Sequence, residues 1–285
     1  MIQAELPNRR VEAWKYSDLR AALGDRAPRL RPGRDVIERL AERTARIAVP
    51  AGAPVTIVER LDQDGLAATA TDFDVQPGAE LTRVVVQTAN DAPLSVARVS
   101  LGAGAKFKQF VLAEGGKLAR IETHVSIEGE GAEVELNGIY MTADGRHADL
   151  TSIVEHNVPG ASTRQLIKGV AKKGGRGVFQ GKIYVAHGAQ KTDARQHHQA
   201  LMLEEGGEID AKPELEIYAD DVQCAHGNAI GALDDAQLFY ARSRGIPEEE
   251  ARALLVEAFL TEAVPDYLAE EVRAEVIERI ARWLR

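Results

Sequence analysis

Cys224 and His226, two residues apart, are the pair in this chain whose types match soft-metal ligation. A thiolate and a neutral imidazole both serve iron and zinc. Upstream, Leu215, Ile217 and Ala219 alternate with Glu214, Glu216 and Tyr218, the period-2 pattern of a half-buried strand. If that strand continues past Asp221, a spacing of two puts sulfur and imidazole on one face. Zinc and iron–sulfur sites usually need four donors, and Cys224 is the only cysteine in the chain. A cluster held here would borrow ligands from another subunit. The alternative stays open that Cys224 is a small buried hydrophobe and His226 a turn residue beside Gly227.

Other candidate groups carry less. Asp220 and Asp221 adjoin the pair, but adjacent aspartates at a strand end commonly form Asx-turns. His197 and His198 are consecutive and face opposite sides of a strand, so they do not chelate one ion together. Gly169 to Gly177 encloses Lys172, Lys173 and Arg176 but lacks the Gly-Lys-Ser/Thr ending of a phosphate loop, so no ATP site is identified. Lys191, Asp193 and Arg195 alternate as a surface charge ladder would. Hydrolase and dinucleotide fingerprints are absent.

The elements that position these residues show a repeat. Gly-Ala recurs at Gly78, Gly104, Gly131, Gly160 and Gly188, at intervals of 26, 27, 29 and 28 residues. Each opens an apolar or β-branched run: Leu81–Val86, Phe107–Leu112, Val134–Tyr140 and Thr163–Val170 for the first four. Glycine supplies the positive φ of a corner, and the small residue after it lets stacked corners approach. A period near 27 residues suits one circuit of short strands, and stacking circuits bury each other's inward side chains. The expectation is a mainly β protein with a right-handed parallel β-helix core over residues 51–232, of five or six coils.

Helical segments flank that core. Residues 1–50 read as two amphipathic helices. The first is capped by Asn8, striped by Val11, Trp14, Leu19 and Leu23, and stopped by Gly24. The second starts at Asp35 and Glu38 with capping-box spacing and runs through Ile37, Leu40, Thr44 and Ile47. Residues 233–285 read as a short helix carrying Leu233, Ala236, Phe239 and Tyr240, then a helix from Pro247 burying Leu254, Leu255, Ala258 and Phe259. After Pro265, Tyr267, Leu268, Val272, Val276, Ile280, Trp283 and Leu284 mark a last amphipathic helix.

Composition narrows the class. With 45% hydrophobic residues among 285 the chain can bury a core, and a net charge of −9 disfavours nucleic acid or an anionic membrane as partner. Ten arginines between Arg9 and Arg46 lack the aromatic interleaving of a nucleic-acid arm. No run of 18 apolar residues marks a membrane span, and Met1–Arg10 has no signal-peptide core. A lone cysteine forms no internal disulfide and fits a reducing cytoplasm.

Several word-like stretches resemble one family. Gln190–Gln196, Lys212–Gly227, Gly231–Asp234 and Leu238–Ile246 are similar to the SufB/SufD proteins of iron–sulfur cluster assembly. Arg9–Leu19, with Trp14-Lys15-Tyr16, looks like the opening motif of the SufD type, and the near-absence of cysteine agrees. The likeness is dense over residues 180–262 and thin in exact words between 50 and 180. It implies a shared β-helix core and a non-catalytic scaffold subunit. It also implies pairing through that core with a SufB-like subunit and through the C-terminal helices with a SufC-like ATPase. In that frame Phe239, Tyr240, Leu254, Leu255 and Phe259 are the expected ATPase-docking residues. His226 matches the family position at the SufB–SufD interface where a transient iron–sulfur cluster forms, and Cys224 matches the nearby cysteine. The region before the repeats is shorter than is typical of the SufD type, so no flavin site is assigned and a homodimer is an alternative assembly. Two other readings compete: a cytoplasmic β-helix carbohydrate-active enzyme, disfavoured by only 5% aromatic residues and no carboxylate pair, and a purely structural homodimeric β-helix.

Overall fold

The computed structural model describes residues 6–26 and 28–285. Residues 1–5, part of the opening stretch read above for a signal peptide, lie outside it. Fourteen strands alternate between two parallel sheets of seven. One sheet stacks the odd strands: β1 Thr44–Val49, β3 Leu66–Val75, β5 Ala92–Leu101, β7 Ala119–Ile127, β9 His147–His156, β11 Arg176–Val185 and β13 Glu208–Ile217. The other stacks the even strands: β2 Val55–Leu61, β4 Glu80–Gln87, β6 Lys106–Ala113, β8 Glu133–Thr142, β10 Ser162–Ala171, β12 Asp193–Met202 and β14 Gln223–Gly231. This is a parallel β-helix of about six turns.

The Gly-Ala repeat sits at its corners. Gly78, Gly104, Gly131 and Gly160 have φ of +72°, +62°, +69° and +74°, where a Cβ would be strained. The alanines that follow, Ala79, Ala105, Ala132, Ala161 and Ala189, are all buried. Corner backbones bond to one another, as Gly78 N–H does to Ala103 O (2.8 Å) and Gly104 N–H to Glu130 O (2.8 Å). Gly188 departs from the pattern: in that corner the positive φ falls on Lys191 (+62°).

Register turns the even sheet's inward residues into columns. One column runs Leu81, Phe107, Val134, Thr163, Ala194, Cys224; the next runs Arg83, Gln109, Leu136, Gln165, Gln196, His226. A third ends His198, Asn228. Tyr140 crosses the interior where Gly169 and Gly177 leave room: a Cβ on either would meet its ring at 1.8 Å and 2.1 Å.

The N-terminal region differs from the two helices expected. Among its described residues helix is confined to 3-10 turns at Glu12–Trp14 and Gly24–Arg26, α1 Leu19–Leu23 and α2 Val36–Leu40. Asp18 caps α1, whereas the Asn8 side chain accepts from Arg10 N–H (2.9 Å) outside any helix, and Val11 is exposed. Asp35 does cap α2, accepting from Glu38 N–H (2.9 Å), but Thr44 and Ile47 belong to β1. There the pairing of Thr44–Val49 with Ala70–Val75 of β3 outweighs the helical spacing. Trp14 is buried under the Arg120 guanidinium, 4.1 Å from its ring.

At the other end come α3 Asp235–Ser243, α4 Glu248–Thr261 and α5 Glu270–Leu284. Val272, Val276 and Ile280 of α5 cover Val84, Val86, Phe110, Leu112 and Ile139 on the outer face of the even sheet. Lys168 lies 4.3 Å from the Phe259 ring and pairs with Glu262, while Lys172 lies 4.3 Å from the Trp283 ring. Of the glycine-flanked lysines, Lys172 is thus packed against a helix while Lys173 is exposed. The buried side of α4 is Ala251, Val256 and Leu260, one step round from the side expected: Leu254 and Ala258 are exposed and Leu255 and Phe259 half-buried.

Candidate functional site at the last coil

The strand carrying Leu215 and Ile217 ends at Ile217, the chain turns a corner, and Cys224 and His226 lie on β14 in the opposite sheet. Asp221 belongs to that corner, paired with Lys191 across to the preceding one. The pair still shares a face. In β12, Ala194, Gln196, His198 and Ala200 are buried and alternate with exposed Arg195, His197 and Gln199. Register places Cys224, His226, Asn228 and Ile230 beside the buried set. All four point toward the interior of the β-helix.

That interior ends here. Strands β13 and β14 are the sheet edges, so no further coil covers their inward side chains. Cys224 is half-buried, His226 and Asn228 are exposed, and Ile217 and Ile230 are 38% and 41% exposed. Burial pushes the Cys224 thiol's pKa up and Asp193 adds to this, against a backbone N–H from Ala194. The sulfur is therefore a protonated thiol at neutral pH.

The layer beneath is polar. Gln196 Nε2 donates to Gln165 Oε1 (2.9 Å) and Gln165 Nε2 to Ser152 Oγ (2.8 Å). Beside them the Tyr140 hydroxyl bonds His198 Nε2 (3.0 Å), and His198 Nδ1 bonds Asn228 Oδ1 (2.7 Å). His198 stacks on Phe179 at 4.9 Å, and burial holds its pKa down at about 4 despite the Asn228 bond, so the ring is neutral. Placing His198 inward and His197 outward agrees with the strand parity read from sequence. The parts played by Gln196, His198 and Asn228 escape sequence reasoning because they arise from register across strands. The spacing of two that Gln196 and His198 share with Ala194 and Ala200 is the available signal.

Among the described residues no group of three or more His, Cys, Asp or Glu is arranged to hold a metal ion. Cys224 and His226 are two donors facing an open end. Elsewhere, Ser17 lies 3.4 Å from His147 Nε2 and donates to Asp149, three residue types of a hydrolytic triad. The connectivity is wrong for one: Asp149 accepts from Ser17 and from Arg120 (2.6 Å), and Ser17 is fully buried. This cluster fastens the Trp14 segment to the sheet. A groove of about 710 Å³ lies on the outer face of the odd sheet, and its Arg34 and Arg98 both pair with Asp72.

The fold is a parallel β-helix with an uncovered last coil and helices at both ends. The family described as SUF system FeS cluster assembly, SufBD core domain, matches residues 35–259, and the chain belongs to that family. It is 39% identical over 173 residues to the iron–sulfur cluster assembly protein SufD of Escherichia coli, covering 60% of this chain and 40% of that one. A SufBD-family iron–sulfur cluster assembly protein of Mycobacterium leprae is 34% identical over 230 residues, 77% of this chain and 59% of its own. SufD of Bacillus subtilis is 32% identical over 184 residues, 60% and 42%. The chain is SufD-like and spans about half the length of these relatives. None of its described helices is long and apolar enough to cross a membrane.

Proposed function

We propose that this chain is a non-catalytic, cytoplasmic SufD-like subunit of an iron–sulfur assembly scaffold, contributing half of a site on which a nascent cluster is built. The observation that carries the reading is the last coil. Two soft donors, Cys224 and His226, face an end of the β-helix bounded by the unpaired edges of β13 and β14. Strand edges invite another chain to add strands. A SufB-like subunit seated there would cover Ile217 and Ile230 and complete the ligand set, with the cluster as cargo. Ligands divided between subunits also give a way to open the site, because moving one subunit separates the donors.

The motion would come from a SufC-like ATPase docked on α3 and α4. Phe239, Tyr240 and Leu254 are 73%, 61% and 47% exposed, while Leu255 and Phe259 adjoin them half-buried. Adjacent exposed aromatics on one helix, beside an exposed leucine on the next, suit an interaction surface.

Anaerobic co-purification with the host's SufB-like and SufC-like proteins tests the assembly. Co-elution as a coloured complex, with colour lost in His226→Ala and ATPase lost in Phe239→Ala/Tyr240→Ala, is the expected result. Elution of this chain alone, or unchanged cluster content in His226→Ala, would overturn it. The same edges could pair two copies of this chain, a reading that predicts a stable dimer when no partner is present.

A further inference from the structure

Gln196 is fully buried and stands in register with His226 on the neighbouring strand, both turned inward. Its amide is fixed at one end: Nε2 donates to Gln165 Oε1, whose own Nε2 donates to Ser152 Oγ. Gly181 makes room for this arrangement, since a Cβ there would lie 2.2 Å from Gln196 Nε2. The other end, Oε1, is buried and has no hydrogen-bond partner among the described residues. A buried carbonyl oxygen without a donor costs free energy, and a donor is what the next rung must supply. That rung is His226, on a strand ~4.8 Å away.

We propose that Gln196 is a positioning residue for His226: its amide oxygen accepts the N–H of the nearer ring nitrogen and thereby leaves the outer nitrogen bare. The polarity of the ladder decides the tautomer. Every amide in it donates toward Ser152, so the imidazole at its end must also donate inward. The outer nitrogen then keeps its lone pair, directed at the open end of the β-helix, which is the form that binds a metal. Histidine ligands generally have their second nitrogen held in this way by a carbonyl or carboxylate. The inference rests on the reading of His226 as a cluster ligand, yet the proposed hydrogen bond needs no partner chain and is sought in the isolated chain.

The test is ¹⁵N-histidine NMR of the purified full chain without metal, with the His226 signals identified by their loss in His226→Ala. A single dominant His226 tautomer, protonated on the inner nitrogen, is expected in the wild type. Gln196→Leu, of similar volume, should move His226 toward the mixture of a free imidazole while His198, bonded to Tyr140 and Asn228, keeps its tautomer. In Gln165→Glu a protonated acid can still accept from Gln196 Nε2 and donate to Ser152, so the wild-type tautomer should persist. An unchanged His226 spectrum in Gln196→Leu, or protonation on the outer nitrogen in the wild type, would overturn the proposal. If Gln196→Leu itself failed to fold, the Gln165→Glu and wild-type spectra would still decide, because a reversed ladder gives the opposite tautomer. Failure of the ligand reading is separate: His226→Ala would leave cluster yield unchanged whatever the tautomer.

Discussion

Arg83 and His226 occupy the same inward column of the even sheet, on β4 and β14, and their surroundings are opposite. Arg83 is fully buried and makes five hydrogen bonds: to both oxygens of Glu59 (2.8 and 2.9 Å), Gln109 (2.8 Å), Thr123 (3.3 Å) and Ser95 (2.9 Å). No capacity is left for a ligand. His226 is exposed, with a carbonyl waiting beneath it and nothing above. Between the two, the column passes Gln109, Leu136 and Gln165, which with Thr123 and Ser152 of the opposite sheet line a cavity of about 20 Å³, and then Gln196. A polar group in a β-helix is thus structural where the coils on either side satisfy it, and available for chemistry where the coils stop.

The largest expected effect comes from unbalancing the satisfied end. Burial pushes the Glu59 carboxyl's pKa up, but the charge and hydrogen bonds of Arg83 outweigh this and hold it below its ordinary range. Arg83→Met leaves that carboxylate buried without its partner, at a cost of about 3–5 kcal/mol. Chemical denaturation should show this, and Glu59→Leu/Arg83→Met should recover most of it. Equal destabilisation in the single and double variants would show that the ion pair is not what holds this end.

Between the two ends, Gly169→Ala drives a Cβ into the Tyr140 ring. Tyr140 is itself fully buried, so the ring has little freedom to retreat, and a loss of about 1–3 kcal/mol is expected. Adding Tyr140→Leu should restore part of it. A thermal midpoint in Gly169→Ala equal to wild type would mean the interior is looser than its packing indicates.

Acid should distinguish the ends by the pH at which each weakens. Burial holds His147, His156 and His198 at about 4, so the native state stays neutral where unfolded histidines, near ~6.5, take up protons. Their contribution is complete above pH ~6.5 and is lost as pH falls toward about 4, at up to ~1.4 kcal/mol per pH unit for each. His198 links Tyr140 to Asn228 of β14, so the open end should lose hydrogen-exchange protection first. The Arg83 end relies on Glu59, whose pKa is lowered; its stability persists until pH drops below the ordinary carboxylate range, ~4.3. Simultaneous loss of protection in β4 and β14 would contradict this division.

Much of this was legible in the sequence, for reasons that particular residues make clear. The Gly-Ala corners announce the coil because positive φ and close stacking both select small residues, and intervals of 26 to 29 residues match one circuit of two strands and their corners. Strand parity correctly sets one of His197 and His198 inward and the other outward, and burial makes His198 the inward one. The short elements near the N-terminus depart from the sequence pattern because Thr44 and Ile47 keep helical spacing from Leu40, while their conformation is set by pairing with β3. The face of α4 is turned by one position because packing on Lys168 and the even sheet, not local pattern, chooses Val256 and Leu260. The Arg83 and Gln196 networks are invisible in the sequence, since their bonded members are 12 to 40 residues apart and meet only through register and across the two sheets.

The smallest structural effect is expected where the functional effect should be greatest. His226 is exposed and Cys224 half-buried on an edge strand with no coil beyond it, so little packing depends on either side chain. His226→Ala and Cys224→Ala should each change unfolding free energy by less than about 0.5 kcal/mol. Removing the imidazole leaves Gln196 Oε1 open to water entering from the uncovered end, which limits even that loss. On the proposed reading the same truncations delete a cluster donor, so cluster content of the complex should fall while the melting curve of the isolated chain stays in place. A drop of several kcal/mol on His226→Ala would instead place this imidazole with Arg83, as a structural member of the column.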